Sequence, residues 1–323
     1  MHLTSTRPGE FDATLVSDAI RPYLQRGGSG AVHSVFRAVL NLETQDGLIT
    51  IGGPSVEPLP HGLLIAGPID FQTLGLRIGQ QVILNGARIQ IPACGIDIDV
   101  SRAAGWSPRL PATDPDLARA RWRLRARHMR ILAAAAVRAR PGSCEGLGDL
   151  IDHQGQAPLR PVARLAAPRL ECLVAAVRNS DPSAAGVAAA SMVGLGPGLT
   201  PSGDDALVGM AAAVTAMATP GTLDATFLRR VADTASSRTT AVSTAFLRHA
   251  VAGEFSAGLH RLLAAFIGPD PSDVASTIER SVAFGATSGT DTLVGVLTGL
   301  DALAPSVLEA QAVPGPERVR TAA

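Results

Sequence analysis

The residues best suited to chemistry lie in one stretch, Gly194 to Gly209, which reads GLGPGLTPSGDDALVG. Three Gly and two Pro among its first eight residues make a stiff loop with little side-chain cover. A helix is expected to follow, over about 203–218. Helix N-termini carry unpaired amides and the positive end of the helix dipole, so a phosphate- or carboxylate-sized anion is the expected guest. Gly198, Thr200, Ser202, Gly203 and Asp204 are its candidate contacts. Two other readings use the same residues. Ser202 as N-cap with Asp205 three residues on is a capping-box arrangement, which by itself marks only a helix start. Asp204 and Asp205 together offer the carboxylates that Mg²⁺ takes beside phosphate oxygens. Gly203 costs about 1 kcal/mol of helix propensity, which implies that something approaches the backbone there.

The motif occurs twice. TPSGDDALVGM at Thr200–Met210 is echoed by TSGTDTLVGV at Thr287–Val296, and both contain S-G-x-D-x-L-V-G. This points to an internal duplication, or to two loops held to one chemistry, and adds Ser288 and Gly289 to the candidate contacts. Gly209 and Gly295 suggest a close helix crossing that would turn both helix starts toward one cleft. Between the copies, Arg238, Thr239, Thr240 and Ser243 form a polar cluster suited to a second wall for an oxyanion. Asp205, Asp291 and Arg238 are the candidate catalytic groups, with Arg238 neutralising charge. His33, in AVHSVF, is a candidate ligand contact across the domain joint, and His249 a lesser candidate base.

The elements that must position these residues divide the chain into a β-rich domain, 1–110, and a helical domain, 111–323. Residues 31–101 contain five or six short strand-like runs separated by Gly or Pro, as in a small barrel or curled sheet. Asn85-Gly86 between VIL and ARIQI predicts a type I′ hairpin. Pro108–Pro115 reads as the joint. From Asp114 the period becomes helical, first in PDLARARWRLRARHMRILAAAAVRAR. Further helices are expected at about 160–178, 183–192, 222–235, 239–252, 256–266, 271–284 and 289–303. The fold class is α+β, a barrel-like or curled-sheet domain followed by an all-α domain. The first helix is Arg-rich, with Leu117, Leu124, Ile131 and Leu132 as a narrow apolar stripe. It is expected to be solvated and poorly buried, or else a docking surface for an acidic partner. The chain's ends, before Pro8 and after Ala304, are expected to be loose.

Composition excludes several classes. Every basic residue is Arg; without Lys there is no Schiff-base, pyridoxal or Walker A chemistry. Formal charge is zero, so no field draws the chain to nucleic acid or anionic lipid. No apolar run reaches the ~18 residues of a membrane span. Cys94, Cys144 and Cys172 are odd in number and far apart, and Met1–Asp12 lacks the look of a signal peptide, so a cytoplasmic protein with reduced thiols is expected.

With GLGPGLTPSGDD, Arg238-Thr239-Thr240, and Gly285 to Asp291 in hand, the chain resembles a bacterial family of unassigned function whose hallmark is this string. The resemblance runs from Val32-His33-Ser34-Val35-Phe36 to the second motif. That family includes one subunit of the oxamate carbamoyltransferase of anaerobic allantoin use, which converts oxalurate and phosphate to oxamate and carbamoyl phosphate together with other subunits. The resemblance therefore implies a transferase subunit, small anionic substrates and protein partners. A non-catalytic scaffold subunit, or a partner in acyl-CoA-linked ligase chemistry, are the alternatives. The residues identify no cofactor with certainty; Mg²⁺ is the one they could hold.

Overall fold

The computed structural model describes residues 9–140, 142, 145–152, 158–219 and 225–304. Its first third holds nine strands: β1 (Glu10–Ser17), β2 (Gly28–Val35), β3 (Val39–Thr44), β4 (Gly47–Gly52), β5 (Gly62–Ile65), β6 (Gln81–Asn85), β7 (Arg88–Ile91), β8 (Ile96–Asp99) and β9 (Ala104–Trp106). They run in the order β5-β4-β3-β2-β6-β7-β8-β1. β1 then pairs antiparallel with β5, closing a barrel of eight strands. β9 joins the end of β1 beyond β8. Alternation decides which side chains fill the barrel: Leu40, Leu42, Ile49, Ile51, Val82 and Ile89 are all inside and fully buried.

Three local expectations are corrected here. β1, in EFDATLVS, lies before the expected strand region. The run AVHSVFRAVLNLET is split between two antiparallel strands, β2 and β3, with an irregularity in register at His33. The hairpin at 85–88 forms, but Asn85 pairs with Arg88 and Gly86, at φ +58°, is the first turn residue. A single positive φ at that position suits a type II′ turn, not type I′.

The remaining described chain is helical: α1 (Arg21–Arg26) within the barrel region, then α2 (Pro115–Arg138), α3 (Asp149–Asp152), α4 (Pro161–Arg178), α5 (Pro182–Met192), α6 (Ser202–Met217), α7 (Arg229–Thr234), α8 (Ala241–Val251), α9 (Ala257–Ile267), α10 (Val274–Val282) and α11 (Ser288–Leu303). The expected helix at 222–235 begins outside the described residues, as do Cys144 and the ends of the chain. Among the described residues no helix is long and apolar enough to cross a membrane.

The barrel and the helices have separate apolar cores. A small cluster of Leu48, Val242 and Ala245 lies where β4 meets α8. Around the proline joint the Phe255 amide donates to the Pro108 carbonyl at 2.8 Å, and Ala257 to Pro58 at 3.0 Å. α6 is apolar or small on every side and buried almost throughout, as befits a central helix.

α2 is oriented against expectation. Leu117, Leu124 and Ile131 face outward at 51, 86 and 55% exposure, while Ala118, Trp122, Ala126, Met129, Ala133 and Val137 form the buried stripe. Small residues let the helix sit close, and Trp122 anchors it by stacking on Phe266 and donating to Asp301 at 2.8 Å. Several arginines are occupied with helix ends: Arg119 donates to the Met217 carbonyl at 2.9 Å and Arg125 to Gly268 at 2.8 Å. These bonds satisfy carbonyls left open where helices stop.

Candidate functional site

The loop before α6 turns on three glycines in the left-handed region, Gly194, Gly196 and Gly198, at φ +72°, +112° and +100°. It folds back on the helix start, so that the Gly203 amide donates to Leu195 at 2.8 Å and the Asp204 amide to Pro201 at 2.9 Å. The start of α11 repeats this: Gly289 donates to Phe284 at 3.0 Å and Asp291 to Thr287 at 2.9 Å. The Gly203, Asp204, Gly289 and Asp291 amides, expected to cradle an anion, are thus bonded within their own helix starts.

The same packing explains Gly203 and Gly289. A Cβ on Gly203 would lie 2.1 Å from the Met192 carbonyl oxygen, and one on Gly289 1.7 Å from that of Ser281. What approaches the backbone is the chain itself. Nor do Ser202 and Ser288 cap: each is the first helical residue, Pro201 and Thr287 are the N-caps, and neither makes a side-chain cap bond. The capping box gives way because the loop carbonyls already satisfy the first amides.

Freed from capping, the acidic residues turn inward. α6 and α11 cross where a Cβ on Gly209 would lie 2.1 Å from the Thr292 carbonyl oxygen and one on Gly295 2.0 Å from that of Ala206. This close approach brings together Asp205 and Asp291, which are 9% and 0% exposed. Burial pushes the Asp205 carboxyl well above the usual carboxylate range, and the neighbouring Asp291 adds to the shift. Burial also raises Asp291, against the Leu147 amide, which donates to its Oδ1 at 2.6 Å. Asp205 Oδ2, Asp291 Oδ2 and the Ser202 hydroxyl, which faces Asp291, lack a well-formed hydrogen bond. Both carboxyls are therefore held toward the neutral acid by burial. The Thr200 and Ser288 hydroxyls, 2.7 Å apart, sit beside Asp205.

Asp204 has a different task. Its oxygens accept from the Gly194 amide at 3.0 Å and from the Thr239 hydroxyl, holding the loop to the segment before α8. A Mg²⁺ bridge between Asp204 and Asp205 would have to displace those bonds. Thr240 caps α8 through the Ser243 amide and donates to the Leu199 carbonyl, pinning the same loop. Arg238 is exposed and lies near Asp204. Among the described residues no group of three or more His, Cys, Asp or Glu side chains is arranged to hold a metal ion.

A cleft of about 580 Å³ separates these helix starts from the outer wall of β3 to β5. Thr200, Asp205 and Gly289 line it on the helical side, Asn41, Thr50 and His61 on the barrel side. Gly198 and His33 do not line it. His33 reaches it only through a neighbour: its Nδ1 meets the Ser34 hydroxyl at 3.1 Å, and Ser34 accepts from Asn41 at 2.9 Å.

Both walls of the cleft coincide with family profiles. Residues 12–105 match the profile described as the AllH family N-terminal domain, and residues 192–300 that of oxamate carbamoyltransferase subunit AllH. The chain belongs to the AllH family. The two AllH profiles meet across the cleft, one supplying the barrel wall and the other both helix starts. The family's description as a subunit implies companion subunits. No solved structure matches the chain significantly. The residues that sequence reading passed over in this AllH chain are on the barrel wall. Asn41, Thr50 and His61 carry no motif; the available signal was polar residues, such as Asn41 between Leu40 and Leu42, in otherwise apolar strands.

Proposed function

We propose that this chain is the AllH-type subunit of an oxamate carbamoyltransferase and that its interdomain cleft binds the small anionic substrate. In the reaction, a phosphate oxygen attacks the carbamoyl carbon of oxalurate. The bond from that carbon to the oxamate nitrogen breaks, and a proton passes to the nitrogen. The observation that carries the reading is the meeting of two duplicated helix starts at the interdomain cleft, with Asp205 on its wall and Asp291 buried behind it. An uncharged Asp205 sits beside an anion without repulsion and has a proton to give. The Thr200 hydroxyl, which lines the cleft and is held by the Ser288 hydroxyl behind it, replaces the amides as donor, and Arg261 and Arg280, which also line the cleft, replace Arg238 as the cations. Isothermal titration of the chain with phosphate and with oxamate tests this. Saturable binding is expected, weakened about tenfold or more by Thr200→Val and Ser288→Ala, a change of about 1.4 kcal/mol. Absent binding, or binding indifferent to both variants, sinks the reading.

A role in assembly is favoured by the outward face of α2. Leu117, Leu124 and Ile131 repeat every seven residues with Arg123 and Arg127 beside them, a surface complementary to an acidic amphipathic partner.

A further inference from the structure

The barrel wall presents Ser34, Asn41 and Thr50 in one row across β2, β3 and β4, with His61 just before β5. Ser34 pairs with Asn41 and Asn41 with Thr50, while the Thr50 amide donates to the His61 carbonyl at 2.8 Å. The side chains link as well: the Thr50 hydroxyl donates to Asn41 Oδ1 at 2.7 Å, and Asn41 Nδ2 to the Ser34 hydroxyl at 2.9 Å. That chain stops short of the His61 ring. His61 is 1% exposed, and neither of its ring nitrogens has a hydrogen-bond partner. Its ring lies edge-on to Phe246 at 4.6 Å and stacks on His249 at 5.6 Å. His249 lies face to face with it and bonds neither of its nitrogens, its own Nδ1 being held by Glu254 at 2.7 Å.

Leaving a buried polar group unpaired costs about 1–3 kcal/mol. A ring that faces a cavity can recover that energy when something enters. Burial and the nearby His249 keep the imidazole uncharged, so it offers one donor and one acceptor and no charge to balance an anion. The cations lie at the more exposed mouth: Arg261, bonded to Glu57 at 2.9 Å, and Arg280, bonded to Asp273 at 3.1 Å, have side chains about half exposed. On the barrel side the cleft therefore offers the uncharged polar groups of Asn41, Thr50 and His61, with its arginines more exposed.

We infer that His61, with Asn41 and Thr50, forms an amide-binding subsite that holds the uncharged carboxamide of the ligand, leaving its carboxylate to face the mouth. This rests on the cleft's taking an oxamate-type ligand. Titrations with oxamate, with oxalate, which has no amide, and with inorganic phosphate separate the two ideas. The wild-type chain is expected to prefer oxamate over oxalate. His61→Phe should weaken oxamate about tenfold or more, erase that preference and leave phosphate affinity unchanged, and His61→Gln should restore part of it. In the wild-type chain carrying ¹⁵N-labelled histidine, oxamate should shift the His61 ring resonances and phosphate should not. Oxamate binding that is unchanged in His61→Phe, or a ring that oxamate leaves unshifted, overturns the subsite while the cleft reading stands. A wild-type chain that binds none of the three overturns both.

Discussion

Burial sets the protonation of Asp205 before any ligand arrives. Its raised pKa means that the folded state favours the neutral acid. The stability associated with this group is fully present below the unfolded carboxylate value and is lost as pH rises through the folded one. Asp205→Asn keeps the shape without the charge. Its stability relative to wild type should therefore grow in urea titrations as pH rises above the unfolded carboxylate value. A deficit that deepens with pH would mean that the ionised form is the one the fold supports. The sequence singled out Asp205 and Asp291 by their repeated S-G-x-D setting. The crossing that brings their helices together was legible too, in Gly209 and Gly295, but not that the two carboxyls would turn inward instead of serving their own helix starts.

At the level of elements, the decisive feature is the crossing of α6 and α11. Gly209 and Gly295 were recognisable as crossing points because glycine within a helix needs a reason. Gly295→Ala should gain under 1 kcal/mol of helix propensity and lose about 1–3 kcal/mol or more to the clash with Ala206, for a net loss in thermal unfolding. No loss would mean that the helices separate freely there. α2 shows where reading by residue type failed. Its larger apolar residues seemed to mark the inside, yet Ala at close spacing and one Trp made the tighter face. Trp122→Ala is expected to cost about 3–5 kcal/mol, against about 0.5 kcal/mol or less for Leu124→Ala. Comparable losses in the two would reverse the orientation given to the helix.

For the whole molecule, barrel and helices meet around a cleft that neither could form alone, and the outward face of α2 lies on the helical side. If that face docks an acidic companion subunit, Leu124→Glu should abolish co-purification of the companion while the isolated chain keeps its fold and its titration with phosphate. Retained co-purification would remove α2 from the interface. High salt should weaken the wild-type assembly through its arginines.

The sequence alone determined the α+β class, most helix spans, the duplicated motif, and the exclusion of Lys-dependent chemistry. These follow from composition, from period and from local repetition, all of which are properties of neighbouring residues. Only the tertiary structure decided that the barrel closes through β1 and β5, that the loop amides are spent internally, that Asp204 serves the loop while Asp205 meets Asp291, and that His61 stands unpaired on the facing wall. The opening stretch from Gly194 to Gly209 keeps its place at the candidate site, as a wall of buried acids and hydroxyls instead of a cradle of free amides. Such outcomes turn on which carbonyl or carboxyl reaches a group first, and that competition is settled by contacts between segments far apart in the chain.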